Sequence, residues 1–182
     1  MRRLLAYDRK TAWSITVLII IISFMGGGAK SLNRLKNTAT DIFYNGADGD
    51  GMGVQRELDH RASYAQNMLT VANRYIKDDA AVRQAQAACD DLLGSVGIAD
   101  KSKNDKKLSE AVSQLYERLG KEKLSENDAR YRESLYEEIN ARSSRISNDA
   151  YNGEAREYNR KLSVFPASLI RAARLAEELP VF

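Results

Sequence analysis

Helix breakers are scarce in this chain. Only two prolines occur, Pro166 and Pro180, both near the C-terminus. So few in 182 residues leave little punctuation for the many turns of a β fold and favour long helices. Cysteine is scarcer. A single Cys89 excludes an internal disulfide. It stands among Ala85, Ala88 and Leu92 with no basic neighbour, so it reads as a small core residue rather than a reactive thiol. The one histidine, His60, excludes a histidine metal cluster. No Gly-x-Ser-x-Gly elbow accompanies it to build a nucleophilic relay. With Arg61 beside it, His60 reads as a solvated surface residue. An excess of one charge is also missing. Basic residues number 28 and acidic residues 25, which gives no concentrated basic face for nucleic acid. Sustained apolar–polar alternation is absent too, so no strand pattern competes with helix.

One long uncharged run is present. Ala12 to Ala29 reads AWSITVLIIIISFMGGGA. As a helix rising roughly 1.5 Å per residue, it spans about 27 Å, close to the hydrocarbon thickness of a bilayer. Ser14, Thr16 and Ser23 can return their hydroxyls to backbone carbonyls, and Trp13 stands at interface depth. Four consecutive isoleucines leave no polar face for a soluble helix. A cleaved leader is the competing reading, but no A-x-A site follows the run. The run also takes Gly26 to Gly28 out of consideration as a phosphate loop. Arg2, Arg3, Arg9 and Lys10 precede it, and Lys30, Arg34 and Lys36 follow closely. Four against three leaves the orientation open, with a slight lean to a cytoplasmic N-terminus.

Beyond the run, apolar residues recur at helical spacing. Leu32, Leu35, Ala39, Ile42 and Phe43 extend the first helix to about Tyr44, with a bend expected at Gly26 to Gly28. Asn45 to Gly53 is a glycine-rich loop. Val54, Leu58, Ala62, Ala65, Leu69, Ala72 and Ile76 form a second seam. Asp78-Asp79 caps a third helix carrying Val82, Ala85, Cys89, Leu92 and Val96. Asp100 to Lys107 is polar and reads as a connection. Leu108, Val112, Leu115 and Leu119 make a fourth seam, ending at Gly120. Ser125 caps a last long helix with Tyr131, Leu135, Ile139, Ile146, Ala150, Tyr158 and Leu162. Pro166 interrupts it, and Ala167 to Leu179 reads as a short terminal helix. The fold class is therefore all-α: an antiparallel bundle of about four long helices with an N-terminal transmembrane helix. The divisions are 1–11, a basic segment; 12–29, the anchor; and 30–182, the bundle.

Candidate sites are few. With Asp48 as position one of a calcium loop, Asp50 falls at three, Gly53 at six and Asp59 at twelve. Position five is then Met52 and position nine Arg56, neither suited to a hard cation. Glu137-Glu138 and Glu177-Glu178 are interleaved with basic residues and lack Glu-x-x-His partners, so they read as solvated faces. Tyr151-Asn152 and Tyr158-Asn159 lie seven residues apart on one helix face. Two readings stand for them: a polar clamp inside the bundle, or a surface for a partner.

That stretch carries a resemblance. Tyr151-Asn152, Tyr158-Asn159, Phe165-Pro166 and the closing Phe182 match the C-terminal pattern of the LemA family in order and spacing. Val54, Leu58 and Arg61, then Asn67, Leu69 and Tyr75, resemble its first soluble helix. The glycine-rich loop replaces a longer apolar aromatic motif usual there, and Ser95 to Leu124 has no distinctive match. The resemblance implies a bacterial, single-pass inner-membrane protein with an external N-terminus, a helical-bundle domain and no established catalysis. The expectation is an interaction or scaffold module, neither enzyme nor cofactor-bound. Its partners would be the bilayer through residues 12–29, one or more proteins, and no nucleic acid, with homo-oligomerisation left open. A ligand- or metal-sensing tethered bundle is the alternative. Tyr151, Asn152, Tyr158, Asn159, Phe165 and Pro166 form the candidate interaction or structural face.

Overall fold

The structure is a computed structural model. It describes the backbone of residues 9–165, 167–172 and 174–182, and within these the side chains of 13–16, 19 and 29 onward. Every regular element among the described residues is a helix: α1 (Arg9–Asn45), α2 (Val54–Tyr75), α3 (Ala80–Leu93), α4 (Ile98–Leu119), α5 (Glu126–Ser147), α6 (Ala150–Ser163) and α7 (Ala167–Ala172). Four are long, at 37, 22, 22 and 22 residues for α1, α2, α4 and α5.

Helix starts follow local chemistry. Asp79, Ser125 and Asp149 each accept a hydrogen bond from an otherwise orphan N–H of the first turn, at Ala81, Asp128 and Tyr151. Gly46 closes α1 with φ 80, its N–H bonding Ile42 O at 2.9 Å. Gly53 starts α2 so close to α1 that a Cβ would lie 2.4 Å from Phe43 O and 2.5 Å from Ile42 O. Only glycine admits that approach.

Helix α2 is the shared wall of two cores. Its C-terminal half packs with α3, α4 and the middle of α5 around Met68, Leu69, Cys89, Leu108, Leu115 and Ile139. Its first turns join α1, α6, α7 and the chain end around Phe43, Leu58, Ile146, Tyr151, Tyr158 and Leu162. Helix α5 lies along α2, α3 along α4, and α6 along α1. Cys89 is fully buried, and burial pushes its thiol up to about 12, as suits an inert core residue. His60 is half-buried rather than solvated.

Several boundaries differ from the periodicity. Asp100 to Lys107 is helix, not a connection, because its polar face is inward: Lys101, Ser102 and Asp105 are buried. Arg61 on α2 is only 1% exposed. Its Nη1 pairs with Asp105 Oδ1, and its Nη2 donates to Ser109 Oγ at 2.7 Å. Burial pushes the Asp105 carboxyl up from its ordinary value, against the pull of Arg61. The pair, with Ser109, ties α2 to α4 in this register. The last long helix is two helices. Asn148 leaves the helical region and Asp149 restarts it. Tyr131, expected in the seam, is 61% exposed, and Val96 lies beyond the end of α3 at 86%. The terminal helix stops at Ala172, not Leu179. Arg174 turns left-handed at φ 56, and its N–H and that of Leu175 return to Arg171 O and Ile170 O. This is a Schellman stop without glycine.

Helix α1 runs from the expected anchor into the second core, and its helical assignment is continuous through Gly26 to Gly28. Among the described residues, no helix is long and apolar enough to cross a membrane. The side chains at 17, 18 and 20–28, most of the apolar run, lie outside the described residues, as does the basic segment up to position 8.

Two tests follow. Gly53→Ala should cost about 1–3 kcal/mol by overpacking. Gly153→Ala, where a Cβ meets nothing within 4 Å, should stabilise α6 by about 0.5–1 kcal/mol. For the buried pair, Asp105→Asn should cost about 3–5 kcal/mol, while Arg61→Met with Asp105→Leu should stay near the native value. Urea unfolding of the full chain in mild detergent, followed by helical circular dichroism, reads all four.

Candidate functional site

The Tyr-Asn repeat sits on the face of α6 that looks into the second core. Tyr151 and Asn152 are fully buried and Tyr158 is 1% exposed. Against this face runs the chain's own end, Glu177 to Phe182. Tyr158 Oη donates to Glu177 O at 3.2 Å, and Tyr151 Oη to Pro180 O at 2.8 Å. Asn159 pairs with Leu179 twice, Nδ2 donating to its carbonyl and Oδ1 accepting from its N–H, both at 2.8 Å. Asn152 Oδ1 accepts from Phe182 N at 2.8 Å.

The spacing explains why the pattern repeats. Seven helical residues advance about 10.5 Å at ~1.5 Å each. Three extended residues advance about 10 Å at ~3.3 Å each. Tyr158 to Tyr151 meets Glu177 to Pro180, and Asn159 to Asn152 meets Leu179 to Phe182, each seven against three. Two turns of helix thus match three residues of an antiparallel strand-like tail. A carboxamide carries one N–H set and one C=O, so it can stand in for the peptide group of a missing neighbouring strand.

Asn152 has a second task. Its Nδ2 donates to Ile146 O at 2.6 Å and Ser147 O at 3.2 Å, two of the last carbonyls of α5. The residue that anchors the tail therefore also closes the preceding helix. Burial raises both tyrosine hydroxyls above their ordinary value, which keeps them neutral donors. At the end of the tail, the Phe182 ring lies 5.9 Å from those of Phe43 and Tyr151, and Phe43 and Tyr151 stand edge-on at 5.3 Å. The tail thereby ties α1 to α6.

The Tyr-Asn face is covered by the chain's own end. Phe165 lies elsewhere: it is 70% exposed, past the end of α6. Pro166 lies outside the described residues. The loop from Asp48 to Asp59 does not converge on a point. Asp50 Oδ1 accepts from Met52 N at 2.9 Å, and Asp59 Oδ1 from Gln55 Nε2 at 2.8 Å. Among the described residues, no group of three or more His, Cys, Asp or Glu side chains is placed to hold a metal. The polar residues that periodicity left unassigned, Arg61 and Asp105, carried a signal. Arg61 falls three after Leu58 and four before Ala65, and Asp105 three before Leu108, so both continue an apolar seam.

Replacing one carboxamide should expose the design. Asn159→Asp keeps the acceptor for Leu179 N–H but turns a second oxygen toward Leu179 O. It should destabilise by about 1–3 kcal/mol and speed amide exchange at Leu179 more than at core residues of α3. Tyr151→Phe, losing one hydroxyl bond, should cost only about 1 kcal/mol. Equal exchange at Leu179 in native chain and Asn159→Asp would contradict the clamp.

No protein-family model, curated protein or solved structure matches the chain.

Proposed function

We propose that the chain is a single-pass, membrane-anchored helical bundle of the LemA type, acting as an interaction or scaffold module without catalysis. The observation that carries this reading is α1. Its first part contains the uncharged run Ala12 to Ala29, and its last turns are built into the second core through Leu32, Ala39 and Phe43. A charge-free helical run of that length suits a bilayer. A helix continuous with a packed core would hold the bundle at a set distance from it.

The polar chemistry supports the same reading. The most deeply buried polar side chains serve the fold: Arg61 on Asp105 and Ser109, Asn152 on α5 and the tail. Arg142 Nη1 and Glu57 Oε2 pair at 3.1 Å between α5 and α2. The Tyr-Asn spacing and closing Phe182, on which the LemA resemblance rests, have a structural task here. Under this proposal the location is a bacterial inner membrane, and the partner meets surfaces other than the Tyr-Asn face.

Alkaline carbonate extraction of membranes carrying the full chain tests the anchor. The native chain should stay in the pellet. Ile20→Lys with Ile21→Lys should release it, since each lysine costs about 2.5–3.5 kcal/mol mid-bilayer. Release of the native chain would refute the anchor. Crosslinking in the native membrane should give a discrete adduct, and recovery of the uncrosslinked chain alone would refute the scaffold role.

A further inference from the structure

The end of the bundle next to the apolar run carries an unusual surface. Val164, Phe165 and Leu169 are 53%, 70% and 41% exposed where α6 gives way to α7. Val164 and Phe165 line one cavity together, and contiguous exposed apolar surface marks contact sites. Phe165 and Val164 share a shallow cavity of about 220 Å³ with Ser31 and Leu32 of α1. Leu32 follows the end of the run, Ala29, by three residues, roughly 4.5 Å of helix. The exposed phenyl ring therefore shares its cavity with the α1 residues that follow the uncharged run.

Cations surround it. Lys30, Arg34 and Lys161 line an adjoining recess, and Arg160 borders the apolar cavity. Arg160 and Lys161 already hold Glu157 at 2.7 and 3.3 Å. Lys30 and Arg34 make no ion pair among the described residues. On α7, Arg171 is paired with Glu178 at 2.9 Å.

We infer that the α6–α7 junction is a second membrane contact: Val164, Phe165 and Leu169 enter the interface of the bilayer, and Lys30 and Arg34 bind its anionic lipid headgroups. The inference rests on the anchor proposed above and deepens it. The headgroup layer is about 5–8 Å thick on each side, comparable with the roughly 4.5 Å of helix from Ala29 to Leu32 in the cavity wall. Aromatic and aliphatic side chains at that depth, flanked by lysine and arginine, follow the chemistry of interfacial anchoring. Anionic headgroups complement the unpaired Lys30 and Arg34. The bundle would then be held at two points, by α1 and by the junction, and could not swing freely about α1.

The full chain reconstituted into phosphatidylcholine vesicles containing tail-brominated lipid tests this, with phosphatidylglycerol added in steps. Native Trp13 reports the anchor, and its emission should be quenched. In a Trp13→Phe background, Phe165→Trp should give an indole that is quenched and blue-shifted, increasingly so as phosphatidylglycerol rises. Phe165 is exposed, so the larger ring needs no repacking. Tyr131→Trp in the same background, on α5, should show neither effect. Lys30→Glu with Arg34→Glu should remove the dependence on phosphatidylglycerol. Quenching at Trp13 without quenching at position 165 would overturn the junction contact and leave the anchor standing. No quenching at Trp13 would overturn both. Quenching at 165 that ignores phosphatidylglycerol would overturn the headgroup assignment.

Discussion

Apolar side chains at the end of a chain can be drawn into a core only if the backbone groups that follow them find partners. Leu179 is 8% exposed, and Phe182 packs on Phe43 and Tyr151. The intervening N–H and C=O groups have no second strand to meet. Asn152 and Asn159 supply what that strand would have offered. This pairing closes the second core, because it brings Phe182 as a third ring onto the Phe43–Tyr151 pair that joins α1 and α6. Asn152 further links the tail to the α5 terminus. One carboxamide thus holds three segments, α5, α6 and the tail, in a single arrangement.

Buried polarity elsewhere in the bundle has the same character. Arg61, Asp105 and Ser109 form a patch between α2 and α4 where seam periodicity would place apolar residues. Burial raises the Asp105 carboxyl despite its guanidinium neighbour. Such a patch excludes alternative registers, since a slipped α4 would strand a buried charge. Capping interactions add a third layer. Asp128 accepts from Tyr75 Oη at 2.6 Å and from Arg74 at 2.8 Å, fastening the end of α2 to the start of α5. Those bonds hold the Asp128 carboxyl below the usual carboxylate range.

Helix α2 carries both cores, which explains how the bundle could transmit position from one end to the other. Its early turns contact the α1, α6 and tail assembly, and its later turns contact α3 and α4. A surface on the far core would therefore be presented at a height and angle set by α1. Under the proposed anchoring, that arrangement would set the distance of the far core from the bilayer. Under the same proposal, the exposed α6–α7 junction would restrict rotation about the single helical tether.

Helical class, the seams of α2 and α3, the second half of α4, the Ser125 cap and the Gly120 stop are all legible in sequence. They depend on residues within one or two turns of each other, where a 3.6-residue period and a capping side chain suffice. The spacing of the Tyr-Asn pairs was legible as a pattern, and its clamp reading could be framed. Four features needed the tertiary structure. Asp100 to Lys107 looks like a link until Arg61, 44 residues away, neutralises its inward carboxylate. The break at Asn148 and Asp149 is invisible to periodicity because the apolar spacing crosses it. The end of α7 rests on a left-handed arginine that no composition rule selects. The partner of the Tyr-Asn face is a tail 19 to 30 residues downstream. Local periodicity records which face of a helix is apolar. What lies against that face is decided by contacts between residues distant in the chain, and only the folded arrangement brings those together.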